Sequence, residues 1–199
     1  MPSFHEIRKK AQTSITAPLI PIIKKLRLSP DMLTFIGIFL NLIAAFIIGS
    51  GHLFIGGLIF LLAGLFDMLD GVMARFLNQA TKFGALLDST SDRLTEAAVF
   101  LSFIFITSTS IWPYNTTMQL VLIFLALTGS FLTSYIRARA EGLQIDCSVG
   151  LFTRPERVII LALGLLLNLV FLALSLVVIL SFITVGQRFF HVWRRSKTL

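Results

Sequence analysis

Five long apolar stretches, at 32–50, 53–77, 84–108, 117–141 and 156–190, fill most of this 199-residue chain. A segment of about 20 apolar residues is what a bilayer core demands of a spanning helix. The last stretch is too long for one span, and Asn168 falls inside it. The spacing therefore predicts two helices joined by a tight turn at Asn168, and six spans in all. With 56% hydrophobic residues, the composition is that of an integral membrane chain, not of a soluble core. The expected fold is all-α integral membrane: a single domain over 1–199, with a six-helix transmembrane bundle over 32–194.

The first 27 residues differ in pattern. Phe4, Ile7, Ala11, Ile15, Leu19, Ile22 and Ile23 recur at helical intervals, beside Arg8, Lys9, Lys10, Lys24, Lys25 and Arg27. This predicts an N-terminal amphipathic interfacial helix over 3–27, its cationic face on anionic headgroups and its course broken near Pro18 and Pro21. No apolar core of a cleavable signal peptide is evident there. Ser29-Pro30-Asp31 reads as a helix start.

Basic residues fix the expected orientation. The net charge is +7, from 17 Lys and Arg. In a six-span order, all 17 fall on one side: before the first span, around the second-to-third and fourth-to-fifth connections, and at the C-terminus. The loops near Gly49–His52 and Thr107–Thr117 carry none. By the positive-inside rule that side is cytoplasmic, with both termini and the active site on it, in the cell membrane. Five spans would put the C-terminal basic cluster outside. Topology thus accounts for the charge, and no nucleic-acid partner is expected. The single Cys147 allows no internal disulfide. Asn115-Thr116-Thr117 fits a glycosylation sequon, a pattern common by chance.

Four carboxylates interrupt the apolar sequence. Asp67 and Asp70 are three apart, and Asp88 and Asp92 four apart. On helices each pair shares one face, so two facing helices would aim all four into one small volume. Bare carboxylates so close raise each other's pKa, and a hard divalent cation with oxygen ligands relieves this. Gly71, Ala74 and Gly84 beside them permit close approach, and Arg75 offers a planar fork of donors suited to phosphate. A structural ion network with Arg75 and Arg93, or the ion path of an ion-coupled transporter, would use the same acids. The transporter leaves the Gly, Ala and Arg spacing unexplained.

Asp67-x-x-Asp70-Gly71-x-x-Ala74-Arg75, eight residues, Gly84-x-x-x-Asp88-x-x-x-Asp92 resembles, at every fixed position, the motif of the CDP-alcohol phosphotransferase family. The resemblance covers roughly residues 28–195. It implies a phosphatidyltransferase that moves the lipid phosphate of CDP-diacylglycerol, or of a CDP-ether lipid, onto an alcohol and releases CMP. It implies Asp67, Asp70, Asp88 and Asp92 as ligands of two Mg2+ ions, with Mn2+ as the alternative, and Asp92 as the base. Gly71, Ala74, Arg75 and Thr81 would meet the CDP group. Asp31 and Thr34 match the family's Pro-x-x-x-Thr entry to the first span and would line the nucleotide pocket. Members are commonly homodimers.

Arginines suggest the acceptor. Arg137 ends the fourth span, Arg154 and Arg157 open the fifth, and Arg188 lies near the end of the sixth. So much guanidinium suits an alcohol that carries its own phosphate. Ser134 to Gly142, Gly150 to Arg157 and Leu87 to Arg93 resemble the phosphatidylinositol-phosphate synthase branch, which implies inositol 1-phosphate as acceptor and these four arginines around its phosphate. That branch carries lysine where this chain has Arg137. Glycerol 3-phosphate, the acceptor of phosphatidylglycerophosphate synthases, needs a phosphate pocket too.

Overall fold

The computed structural model describes residues 29–77, 81–107 and 115–197; the side chains of Asp31, Ala74 and Arg75 lie outside the description, as does the expected interfacial helix over 3–27. The described residues form six helices and no strand. These are α1 Pro30–Gly49, α2 Leu53–Phe76, α3 Lys82–Ile106, α4 Thr116–Gly142, α5 Arg154–Leu166 and α6 Val170–Ser196. They follow the five apolar stretches, the last of them divided at Asn168. Four of them, α1, α2, α4 and α6, contain segments long and apolar enough to cross a membrane. The charges of α3 and the 13-residue length of α5 set these two apart.

Local chemistry starts four of the helices, α1, α3, α4 and α5. Ser29 accepts a hydrogen bond from the Met32 N–H at 3.2 Å, with Pro30 in the first turn. Thr81 accepts from Gly84 at 2.9 Å, and Asn115 of the sequon from Met118 at 3.0 Å. Thr153 and Glu156 form a capping box, the Thr153 N–H donating to Glu156 Oε2 at 2.8 Å. Between α5 and α6, Asn168 adopts a left-handed conformation at φ 55°. The Leu169 N–H reaches back to the Gly164 carbonyl at 2.7 Å, which closes the end of α5 in a Schellman turn. Asparagine tolerates this backbone better than the leucines around it, so a single residue splits the longest apolar run.

Small residues set the seams. A Cβ on Gly57 would meet Leu165 of α5 at 2.9 Å, and one on Gly64 would meet Val158 at 2.8 Å. A Cβ on Gly164 would lie 2.3 Å from the Ala173 Cβ, so α5 and α6 run in near backbone contact. α1 packs on α2 and α3, α2 on α5, α4 on α6, and α5 on α6. Ile48, Phe60, Val99, Phe100, Phe103, Leu161, Leu165, Leu174 and Val177 fill the middle. Large apolar side chains also face outward: Phe35, Phe39, Leu42 and Phe46 form an exposed stripe along α1. In lipid such a stripe is in its preferred solvent. The acidic side chains of α2 and α3 gather at one end of the bundle, before Val99 and Phe100 along α3.

Candidate metal and phosphate site

Asp67 and Asp70 project from the last turns of α2, and Asp88 and Asp92 from the first turns of α3. One carboxylate oxygen from each of Asp67, Asp70 and Asp88 lies within 4.8 Å of the others. These three are the acidic group that the described residues bring together for a metal ion. Three acids at that separation, with Asp70 buried, form an all-oxygen donor set that a hard divalent cation fits. Thr34 at the start of α1 donates to Asp70 Oδ2 at 2.7 Å. The helix α1 thus reaches the site through the residue expected to line the nucleotide pocket.

Asp92 faces two arginines. Its Oδ1 lies 2.7 Å from Arg154 Nη1, and its Oδ2 accepts from Arg93 at 3.3 Å. Arg154 also donates to Asp67. One guanidinium at the start of α5 therefore bridges the first aspartate of α2 and the last aspartate of α3. The distance to Asp92 Oδ1 is that of an ion pair, although its angle does not make a hydrogen bond. The pairing is worth most as a positional link, because both acids belong to the same one-signed cluster.

Gly71 follows Asp70 directly in α2 and is half-buried, and Thr81 is the exposed cap of α3. Gly84 lies in the first turn of α3, where a Cβ would meet the Thr81 hydroxyl at 3.0 Å.

The four arginines grouped by sequence occupy four different settings. Arg154 is at the acids. Arg157, one turn on, is 1% exposed. Its Nε and Nη2 donate to the two carboxylate oxygens of Glu96 at 2.7 and 3.1 Å, and its Nη1 to Thr133 of α4 at 3.3 Å. Arg188 of α6 is buried and donates to the carbonyls of Val149, at 2.9 Å, and of Thr133. Arg137 is exposed and donates to Glu141 at 2.8 Å, one helical turn away. Glu96 and Thr133 were not among the residues singled out from sequence. The signal for Glu96 is its place four residues after Asp92, matched by Arg157 three residues after Arg154.

Comparison with known proteins points to one family. The profile of the CDP-alcohol phosphatidyltransferase family matches residues 27–190. A phosphatidylinositol phosphate synthase of Mycobacteroides abscessus is 33% identical over 198 residues, covering 96% of this chain and 88% of that one. An archaetidylinositol phosphate synthase of Methanothermobacter thermautotrophicus is 34% identical over 183 residues, 89% of each chain. The crystal structure of the phosphatidylinositol phosphate synthase of Mycobacterium tuberculosis with CDP-DAG bound superposes with a TM-score of 0.77 at 32% identity, over 90% of this chain and 94% of that one. The same enzyme in complex with manganese and citrate gives 0.78 at 31% identity, over 89% and 88%. With its acidic motif intact and 164 of its residues inside the family match, this chain belongs to the CDP-alcohol phosphatidyltransferase family.

Proposed function

We propose that this protein is a multi-pass membrane transferase that moves a phosphatidyl group from a CDP-lipid to inositol 1-phosphate and releases CMP. The observation that carries the reading is the convergence of Asp67, Asp70 and Asp88 from α2 and α3, in a family whose relatives at 33–34% identity are named phosphatidylinositol and archaetidylinositol phosphate synthases. Diacyl or ether tails would both suit such a site.

Asp67, Asp70 and Asp88 would hold Mg2+ or Mn2+, with Asp92 completing the ligands of a second ion. When bound, the ions neutralise the pyrophosphate and stabilise the departing CMP. The chain's own residues then divide the work. Asp31, Thr34, Gly71, Ala74, Arg75 and Thr81 would seat the CDP group. Thr34 would orient Asp70 through its hydrogen bond to Oδ2. Asp92 would take the proton of the acceptor hydroxyl as its oxygen attacks the lipid phosphorus and the bond to CMP breaks. Arg154 would grip the acceptor phosphate at that point, with Arg137 at the entrance. Arg188 would shape the same pocket by holding the Val149 segment, and Arg157 by its contacts across the bundle.

The same reading treats residues 1–199 as one domain, with six spans and the 3–27 helix on the bilayer surface. The one-sided distribution of Lys and Arg supports a cytoplasmic site in the cell membrane. A homodimer is expected from the family.

CMP release tests the assignment. Purified protein is given CDP-diacylglycerol and Mg2+ with inositol 1-phosphate, free inositol or glycerol 3-phosphate. Turnover with inositol 1-phosphate alone is expected. Turnover with glycerol 3-phosphate alone would make the protein a phosphatidylglycerophosphate synthase. No CMP from folded protein with any acceptor would return the acids to an ion-coupled transporter.

A further inference from the structure

Below the acids lies a second charged pair that the reaction chemistry does not use. Asp92 and Glu96 are four apart on α3, and Arg154 and Arg157 three apart on α5. Their side chains meet as two rungs: Asp92 with Arg154, Glu96 with Arg157. The upper rung is at the site. The lower one is out of reach of solvent, with Arg157 1% and Glu96 7% exposed.

The lower rung is bidentate, the geometry in which a guanidinium fork fixes direction as well as distance. Thr133 ties it to α4, and the Thr133 carbonyl receives Arg188 of α6. Four helices are therefore registered at one level. A buried ion pair is a weak source of net stability, because desolvation of both charges offsets their attraction. Its geometric constraint is the larger effect. Arg157 sits one turn beyond Arg154 on the same short helix, so its hold fixes the rotation of that helix.

We propose that Glu96 is a positioning residue for acceptor transfer: by clamping Arg157 it sets the first turn of α5 and so holds Arg154 between Asp67 and Asp92. This rests on the acceptor reading of Arg154 given above. It makes a prediction of unusual sign. Glu96 is negative and would repel a phosphate, so Coulomb's law alone predicts that removing its charge helps the acceptor bind. A positioning role predicts the opposite.

The test is a cycle of Glu96→Gln, Arg157→Gln and the double variant, with KM for inositol 1-phosphate and for CDP-diacylglycerol, kcat, and an apparent Tm for each. Either single change strands one buried charge, and is expected to raise the acceptor KM by roughly tenfold while the CDP-lipid KM moves less than about twofold. The double variant replaces the pair with two neutral amides, and is expected to return the acceptor KM to within about threefold of wild type.

An unchanged or lowered acceptor KM in Glu96→Gln would overturn the proposal. So would a double variant as impaired as Arg157→Gln, which would make Arg157 itself a ligand of the acceptor. A lowered Tm with both KM values unchanged would reduce the pair to a structural one. If a single variant does not fold, the double variant decides alone by its acceptor KM. Should the wild type use glycerol 3-phosphate instead, the acceptor assignment falls, and the same cycle run with that acceptor still decides the role of Glu96.

Discussion

The Thr34 hydroxyl donates to Asp70 Oδ2 at 2.7 Å and joins the start of α1 to the end of α2. The same hydroxyl lies 3.2 Å from the Pro30 carbonyl, so its rotamer is fixed by its own helix. Thr34→Val keeps the shape and removes the donor. A hydrogen bond to a charged acceptor is worth about 1.5–3 kcal/mol, so kcat/KM for CDP-diacylglycerol should fall by about 10- to 100-fold. Thr34→Ser should stay near wild type. Equal losses in both variants would assign the effect to the methyl group rather than to the hydroxyl.

Asp92→Asn should lower kcat by about 10²- to 10⁴-fold, the range of a lost general base. The KM for the CDP-lipid should hold. The substitution also removes one of the two acids that Arg154 bridges. Rapid quench of CMP formation in a single turnover would place the defect in the chemical step. Near-normal turnover would remove Asp92 from the role of base.

Chelation with EDTA should abolish CMP release. Mg2+ or Mn2+ should restore it, and Asp70→Asn should raise the concentration of ion needed. Direct Mn2+ binding, read by the loss of its free EPR signal, checks the ligand role without turnover. Binding by the Asp70 variant equal to wild type would place the ion elsewhere.

The helices were legible because lipid imposes a simple rule of length, and even the division at Asn168 could be read from an excess of apolar residues. The convergence of Asp67, Asp70 and Asp88 was legible because acids at helical spacing on neighbouring helices share facing sides; the pairing of Asp92 with Arg154 was not. The partners of the arginines were not legible either. Arg154, Arg157 and Arg188 meet groups 24 to 87 residues away, namely Asp67, Glu96, Thr133 and the Val149 carbonyl. Only the packing of α2, α3, α4, α5 and α6 decides which of these arginines meets which oxygen.

Gly164→Val should break the α5–α6 seam. Its Cβ would lie 2.3 Å from that of Ala173, and the side chain would add still more bulk. Overpacking of this kind costs about 1–3 kcal/mol or more, and should appear as a lower apparent Tm in detergent. Adding Ala173→Gly should recover part of the loss. A Tm unchanged by Gly164→Val would show that the two helices can separate without penalty.

Cys147 lies in the segment between α4 and α5 and is fully buried. Burial pushes its thiol above the ordinary value of 9.0, against the opposing pull of Arg188 and Arg137. An unfolded chain would ionise near its ordinary value while the folded one keeps its proton. Stability carried by Cys147 is therefore complete below about pH 9 and is lost as pH rises beyond it. Iodoacetamide should label the folded protein far more slowly than protein in denaturant, and Cys147→Ser should flatten the alkaline limb of a Tm-against-pH curve. Fast labelling of the native protein at neutral pH would contradict the burial.

Thirteen residues at about 1.5 Å each make α5 about 20 Å long, against a hydrocarbon core of about 30 Å. If α6 spans, its partner starts well below the headgroups, and the irregular chain before it descends to meet it. Lipid offers no hydrogen bonds to such a chain. Here α6 offers them instead: Thr184 to the Phe152 N–H at 3.1 Å, Gln187 to the Leu151 N–H at 3.1 Å, and Arg188 to the Val149 carbonyl at 2.9 Å. Positions 184, 187 and 188 therefore have little mutational freedom, although these contacts involve none of the acids of the site. Apolar drift along α6, harmless on any lipid-facing turn, would here strip the chain before α5 of its hydrogen-bond partners.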